Sequence, residues 1–142
     1  MDGSDPERIV EHGPVFINGL GFTGDARALL VTATLSSGLL AYELAAAGAP
    51  TWSQPRLLHT FENGWPDGML ISPRGEAWVA LTAADRIDVI DADGGRRATL
   101  GLPAGSLPTN VCIGGSGELY VTAAHSQSLL RLRFEEGEPS LA

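Results

Sequence analysis

Three stretches of this chain fall into step with one another, and that recurrence constrains the fold more than any other feature. Aligned on Asn18-Gly19-Leu20, Asp67-Gly68-Met69 and Asn110-Val111-Cys112, each start leads into a short apolar run: LGF (20–22), MLIS (69–72) or VCIG (111–114). A Gly-centred turn follows at 23–25, 73–75 or 115–117. Then come a second apolar run (28–33, 76–81, 118–123) and a third (39–44, 86–91, 129–134). The starts lie 49 and 43 residues apart, the spacing of a four-stranded propeller blade. RLLHTF (56–61) and RRATLGL (96–102) supply candidate fourth strands, whereas 135–142 is charged, holds Pro139 and supplies none. The fold expected is all-β: three blades of a propeller, at about 18–61, 66–102 and 108–134, in one domain over 7–142 behind a disordered end at 1–6.

Three blades do not close. Propellers use about four to eight blades around a central channel, so the chain reads as half of a six-bladed ring. A second copy, a complementary half on another chain, or the rest of a longer protein would complete it. ERIVE (7–11) alternates weakly and is a candidate for the missing outer strand, in its own chain or a neighbour.

Composition bears on what such a half-ring binds. All nine basic residues are Arg and the net charge is −8, which disfavours nucleic acid and favours cations. Residues 28–49 are mostly apolar, but Ser36-Ser37-Gly38 and Glu43 interrupt them, and a spanning helix needs about 20 apolar residues. A hairpin explains the run and no membrane partner is expected. No basic segment followed by an apolar one opens the chain, so the compartment expected is the cytoplasm. The lone Cys112 rules out an internal disulfide and reads as a small buried hydrophobe.

Several motifs resolve into structure rather than chemistry. Gly19-Leu20-Gly21-Phe22-Thr23-Gly24 matches a dinucleotide fingerprint, but that motif needs a helix directly after it, and ALLVTATL follows instead. It reads as a hairpin. His12, His59 and His125 have no metal-ligand spacing, and Ser126 beside His125 sits in no nucleophile elbow. Trp78 falls in a second strand, where packing between blades is its role. Trp65, just before Pro66-Asp67, suits the rim of a pocket, because Trp is favoured where one side is apolar and the other wet.

Asn18 and Asp67 carry the functional signal. Asn-Gly and Pro-Asp-Gly are strong turn dipeptides and need no function. Both nevertheless begin innermost strands at matching points of successive repeats, with Asn110 at the third. Such points ring one mouth of a propeller channel. A carboxylate and amide oxygens converging there suit a hard cation such as Ca²⁺, Mg²⁺ or Mn²⁺, although Ca²⁺ takes about six to eight oxygens.

The stretches NGLGF…ALLVTA…LLAYEL, WPDGMLISPRGEAWVAL…RIDVIDADG and LPTNVCIGGSGELYVTAA resemble, in this order, the senescence marker protein/gluconolactonase/luciferin-regenerating enzyme family, also called regucalcin-like. The resemblance runs over about residues 7–134 and is to the C-terminal half of the family's pattern. It implies a six-bladed propeller with one divalent cation in its channel, Ca²⁺ first and Zn²⁺, Mg²⁺ or Mn²⁺ as alternatives. It also implies hydrolysis of sugar lactones. On the same footing, Asn18 and Asp67 are metal ligands, Asp67 is also the general base, and Asn110 lines the channel; with Trp65, placed at the rim by its position before Pro66-Asp67, it makes the substrate lining expected. The family's acidic third ligand belongs to the half this chain lacks. The function expected is a metal-dependent lactonase completed by another half-ring, its partners a small lactone and a second copy or complementary half. The alternative is a non-catalytic binding or scaffold half, or a fragment of a longer lactonase.

Overall fold

In a computed structural model of the chain, residues 16–44 and 54–134 are described. Eleven strands there form three antiparallel sheets that follow one another along the sequence. Sheet 1 runs β1 (Ile17–Phe22), β2 (Ala28–Ala33), β3 (Gly38–Glu43) and β4 (Arg56–Thr60) in spatial order. Sheet 2 repeats the plan with β5 (Trp65–Ile71), β6 (Ala77–Thr82), β7 (Arg86–Ile90) and β8 (Arg96–Gly101). Sheet 3 has β9 (Pro108–Ile113), β10 (Leu119–Ala123) and β11 (Ser128–Leu132). The fold is all-β, as the repeat predicts. The candidate outer strand at 7–11 and the tail at 135–142 lie outside the described residues.

The meander follows from local chemistry. The β5–β6 and β9–β10 turns carry Gly75 (φ 82°) and Gly117 (φ 84°), where a left-handed residue must stand. The turns between second and third strands each end on a residue in the same left-handed region, Ser37 (φ 50°), Asp85 (φ 48°) or Gln127 (φ 51°), and the middle one adds Ala83 (φ 66°). A plain turn follows Gly24: Thr23 N–H donates to Ala28 O (2.9 Å) and β2 begins at once, so the glycine pattern is a hairpin. Within residues 28–43 the chain forms β2, one turn of 3₁₀ helix at Thr34–Ser36, and β3. Among the described residues no helix is long and apolar enough to cross a membrane.

The sheets stack face against face. The face of sheet 1 turned toward sheet 2, its forward face, contributes Leu30, Leu39 and Ala41 to a core completed by Met69, Ala77, Val79 and Leu81 of sheet 2. The forward face of sheet 2 presents Trp78, Ala80, Ile87 and Val89 to Val111, Leu119 and Val121 of sheet 3. Trp78 is fully buried there, its ring edge-on to Phe134 at 5.6 Å, which is the inter-sheet packing expected of it. β6 is buried on both faces and therefore reads as AWVALT, a nearly continuous apolar run. Burying polar atoms in such a core requires partners. Glu76, 4% exposed, accepts from Trp78 Nε1 (3.3 Å) and Ser72 Oγ (3.2 Å) and pairs with Arg97.

Sheet 3 ends the stack. The forward face of β9 to β11 carries Cys112, Tyr120, Thr122, Leu129 and Arg131, and Cys112 is exposed. The expectation of a buried thiol fails because Cys112 alternates with the buried Val111 and points away from sheet 2. The positions matching Leu129 and Arg131, Leu39 and Ala41 in sheet 1 and Ile87 and Val89 in sheet 2, are all at most 2% exposed.

Candidate functional site at the starts of the inner strands

The first strands of the three sheets lie side by side, β1 against β5 and β5 against β9. Each departs from regular pairing near its start. The register slips by one residue between Ile17 and Leu20, between Pro66 and Met69, and between Pro108 and Asn110. A bulge of this kind re-aims side chains and recurs beside functional sites. Asn18-Gly19 and Asp67-Gly68 therefore sit inside strands, not in the turns their dipeptides suggest.

Neither glycine has positive φ. What demands glycine is proximity. A Cβ on Gly19 would lie 2.6 Å from Asp67 O, and one on Gly68 would lie 2.6 Å from Thr109 O and collide with Asn110 Oδ1. The backbones at the three strand starts thus touch. Threonine hydroxyls stitch them together: Thr32 Oγ1 accepts from Gly19 N–H (2.7 Å) and donates to Asp67 O (2.7 Å). Thr34 Oγ1 donates to Pro66 O (2.7 Å), and Thr82 Oγ1 donates to Pro108 O (2.6 Å). Sequence reasoning missed this tie, although Thr at the end of each second strand is visible as LVTAT, ALT and YVT.

Asp67 is the titratable group of the site. Its Oδ2 lies 3.3 Å from Thr82 Oγ1, whose single proton it shares with the nearer Pro108 O. Burial raises its pKa above the usual carboxylate value, while the bonds from Thr82 and the Gly68 backbone N–H oppose that rise. Trp65, 55% exposed, pairs across the strands with the same Thr82, so indole and carboxylate flank one threonine. Asn18 is exposed one residue from the Gly19–Thr32–Asp67 link.

Asn110 does not occupy the third equivalent point. Leu20, Met69 and Val111 pair with Val31, Val79 and Val121, which aligns Thr109 with Asn18 and Asp67 and sets Asn110 where the other strands have Gly19 and Gly68. The alignment on Asn110 is one residue out because that repeat lacks the glycine that marks the bulge. Asn110 Oδ1 instead accepts from Val111 N–H at 2.9 Å.

The other candidates stay apart from this cluster. His59 Nδ1 lies 2.9 Å from Gly94 O with its ring edge-on to Phe61, a structural role. Ser126 Oγ bonds Ser128, and His12 lies outside the described residues. Among the described residues no three His, Cys, Asp or Glu side chains gather as a metal cluster. One carboxylate with amide and carbonyl oxygens has the hard-donor chemistry of an alkaline-earth cation, but only part of the charge and count such an ion takes.

Comparison with known proteins places this arrangement. Residues 1–125 match the family described as SMP-30/Gluconolactonase/LRE-like region. The chain belongs to this family. Among SMP-30/gluconolactonase relatives, regucalcin of Danio rerio is 34% identical over 115 residues, 76% of this chain and 38% of that protein. Pentonolactonase XacC of Haloferax volcanii is 30% identical over 127 residues, 87% of this chain and 43% of the relative. Among solved structures, a calcium-binding regucalcin from Agrobacterium tumefaciens superposes with a TM-score of 0.67 at 25% identity, covering 76% of this chain and 38% of that one. The chain thus spans about two fifths of the length of these relatives.

Proposed function

We propose that the three sheets are consecutive blades of a propeller and that the bulged starts of β1, β5 and β9 form one mouth of its channel. There the chain supplies part of a divalent-cation site to a sugar-lactone hydrolase. The observation that carries this reading is the Thr32 link, which joins Gly19 to the Asp67 backbone and so sets Asn18 and Asp67 beside one another in matching bulges. Membership of a family with a pentonolactonase and calcium-binding regucalcins among its members supports the activity and the cation.

In this reading Asn18 and Asp67 hold the cation, Ca²⁺ first. When bound, such an ion polarises a lactone carbonyl and lowers the pKa of a bound water. The residues of the chain do the rest. Thr82 fixes one oxygen of Asp67, and the carboxylate takes the proton of the attacking water, for which it must be ionised. Trp65 offers an aromatic rim against the apolar face of a sugar ring. The exposed Asn110, beside Gly68, lines the same mouth.

Asp67→Asn tests this. It keeps size and hydrogen bonding and removes charge and base. Loss of Ca²⁺-stimulated hydrolysis of gluconolactone or a pentonolactone by about 10²–10⁴-fold is expected. Equal activity in the variant, or no activity in the parent at saturating Ca²⁺, would remove the proposal. The second reading, a binding half without catalysis, is favoured by one observation: among the described residues no three His, Cys, Asp or Glu side chains gather as a metal cluster.

A further inference from the structure

We propose that Arg86 and Asp88 of β7 are positioning residues for the site, holding the segment that delivers Trp65 and Asp67 to the mouth. The inference rests on the channel-mouth reading and adds to it two residues that touch neither cation nor lactone.

The pair stands where the other sheets have no charge. Asp88 lies opposite Val79 and Arg86 opposite Leu81, on the face of sheet 2 turned toward sheet 1. The matching positions, opposite Val31 and Ala33 or Val121 and Ala123, hold Leu40 and Gly38 in sheet 1 and Leu130 and Ser128 in sheet 3. The same sheet therefore forms twice with uncharged residues at both points. Asp88 is fully buried, and a carboxylate there pays a desolvation cost that only close partners offset. Thr99 Oγ1 donates to its Oδ1 at 2.7 Å. Arg86 donates from Nε to Oδ1 (3.2 Å) and from Nη2 to Oδ2 (3.4 Å). Replacing a buried pair of this kind by apolar residues is often neutral or stabilising, so stability alone does not account for it.

What the guanidinium reaches does account for it. The second proton of Nη2 goes to Glu62 O at 2.6 Å. Glu62 stands in the crossing from β4 to β5, just ahead of Trp65 and Asp67. That crossing is pressed onto the β6–β7 hairpin. Asn63 is left-handed (φ 53°), and a Cβ on Gly64 would lie 2.9 Å from Ala84 Cβ and 3.1 Å from Leu81 Cβ. Trp65 then pairs with Thr82, and the bulge that carries Asp67 follows. Asp88 thus fixes the guanidinium, the guanidinium holds the crossing, and the crossing sets where the bulge begins. Arginine suits the task, because its planar fork serves a carboxylate and a carbonyl together in one fixed geometry. Its neighbour Asp85 reaches the other way, to Gly105 N–H and Leu107 N–H ahead of β9. Adjacent charged side chains of one hairpin therefore hold the entries to two inner strands. Placement at this level matters to chemistry, since a shift of about 1 Å in a catalytic group can cost about 10²-fold in rate.

The experiment puts the residues of sheet 3 in place of the pair, Arg86→Ser together with Asp88→Leu, in the whole chain. Thr99 and Arg96, which also face Asp88, are exposed and turn to water instead. The double variant should melt no lower than the parent. Hydrogen exchange followed by mass spectrometry should nevertheless speed by about tenfold or more at the amides of residues 62–69, the size of one hydrogen bond to a charged group. Exchange in β6 and β9 should stay at the parent's rate. Asp88→Asn keeps the volume and one acceptor oxygen, so it preserves the fold and should speed the same amides by a smaller factor. Parent-like exchange at 62–69 in the folded Asp88→Asn variant would overturn the proposal. So would acceleration spread over β6 and β7 with a lower melting temperature, the mark of a purely structural pair. A second readout asks whether the pair acts through Asp67. Its removal should weaken Ca²⁺ binding, measured by calorimetry, about tenfold in the parent but less than about twofold in an Asp67→Asn background. Equal losses in both backgrounds would count against it in the same way. A parent that binds no Ca²⁺, with local exchange changed as expected, would cost only the proposed function and retain the anchor.

Discussion

At the residue scale, Asp67 is poised between two demands. Burial favours its neutral form, and the proposed chemistry needs the charged one. Because its pKa is raised above the ordinary 3.8, the stability linked to it is fully present below 3.8 and is lost as pH rises through the raised value. At pH 7 without cation, Asp67→Asn should then be at least as stable as the parent, within about 0.5 kcal/mol. Thermal melts of both proteins at pH 3.5 and pH 7 check the sign: the variant's advantage should be larger at pH 7. A parent more stable than the variant at pH 7 in chelator would show that the charge is already compensated. The same linkage predicts that Ca²⁺ affinity, followed by calorimetry, rises with pH as Asp67 ionises.

At the element scale, the hairpin between β6 and β7 holds the entry to the third inner strand. Asp85, in its left-handed position, accepts from Gly105 N–H (2.7 Å) and Leu107 N–H (2.9 Å), and its own carbonyl accepts from Leu102 N–H (2.8 Å). Those backbone donors, Leu107 first, hold its pKa below 3.8. The stability it contributes is therefore present above 3.8 and lost as pH falls through the lower folded value. Asp85→Ala should lower the melting temperature at pH 7, and the gap should narrow as pH falls below 3.8. A constant gap would assign the effect to turn geometry alone. Such loop anchors are not legible in sequence, because they depend on which backbone amides the fold brings back to a turn. The strands were legible, since the repeat fixes their order and the alternating apolar residues fix their faces. The bulges were not. An inserted residue leaves no pattern of its own, so Asn18 and Asp67 read as turn residues and Asn110 was set one position out. Cys112 misled for a related reason: apolar neighbours suggest burial, but Val111 and Ile113 point to the side of sheet 2 and Cys112 between them points away.

At the scale of the whole molecule, the two internal junctions share the work of holding three sheets. Trp78 fills the second of them, and Trp78→Ala should cost about 3–5 kcal/mol, measured by urea denaturation. A loss below about 1 kcal/mol would mean that Phe134 and its neighbours collapse into the space. Because every sheet is built from strands adjacent in sequence, the order of synthesis is also an order of exposure. When residues up to 61 have left the ribosome, sheet 1 can pair, but Leu30, Leu39 and Ala41 lack Met69 and Val79, which cover them later. At about 5–20 residues per second, that bare face persists for roughly a second or a few before β6 arrives. A nascent chain stalled where residues up to 64 have emerged from the ribosome should therefore bind a holdase chaperone, and one stalled far enough downstream to release β6 and β7 should let it go. Equal chaperone occupancy at both stalls would count against sheet-by-sheet assembly. The face-to-face stacking that suits this chain to a ring also makes each sheet, in turn, a hydrophobic surface waiting for the next to be translated.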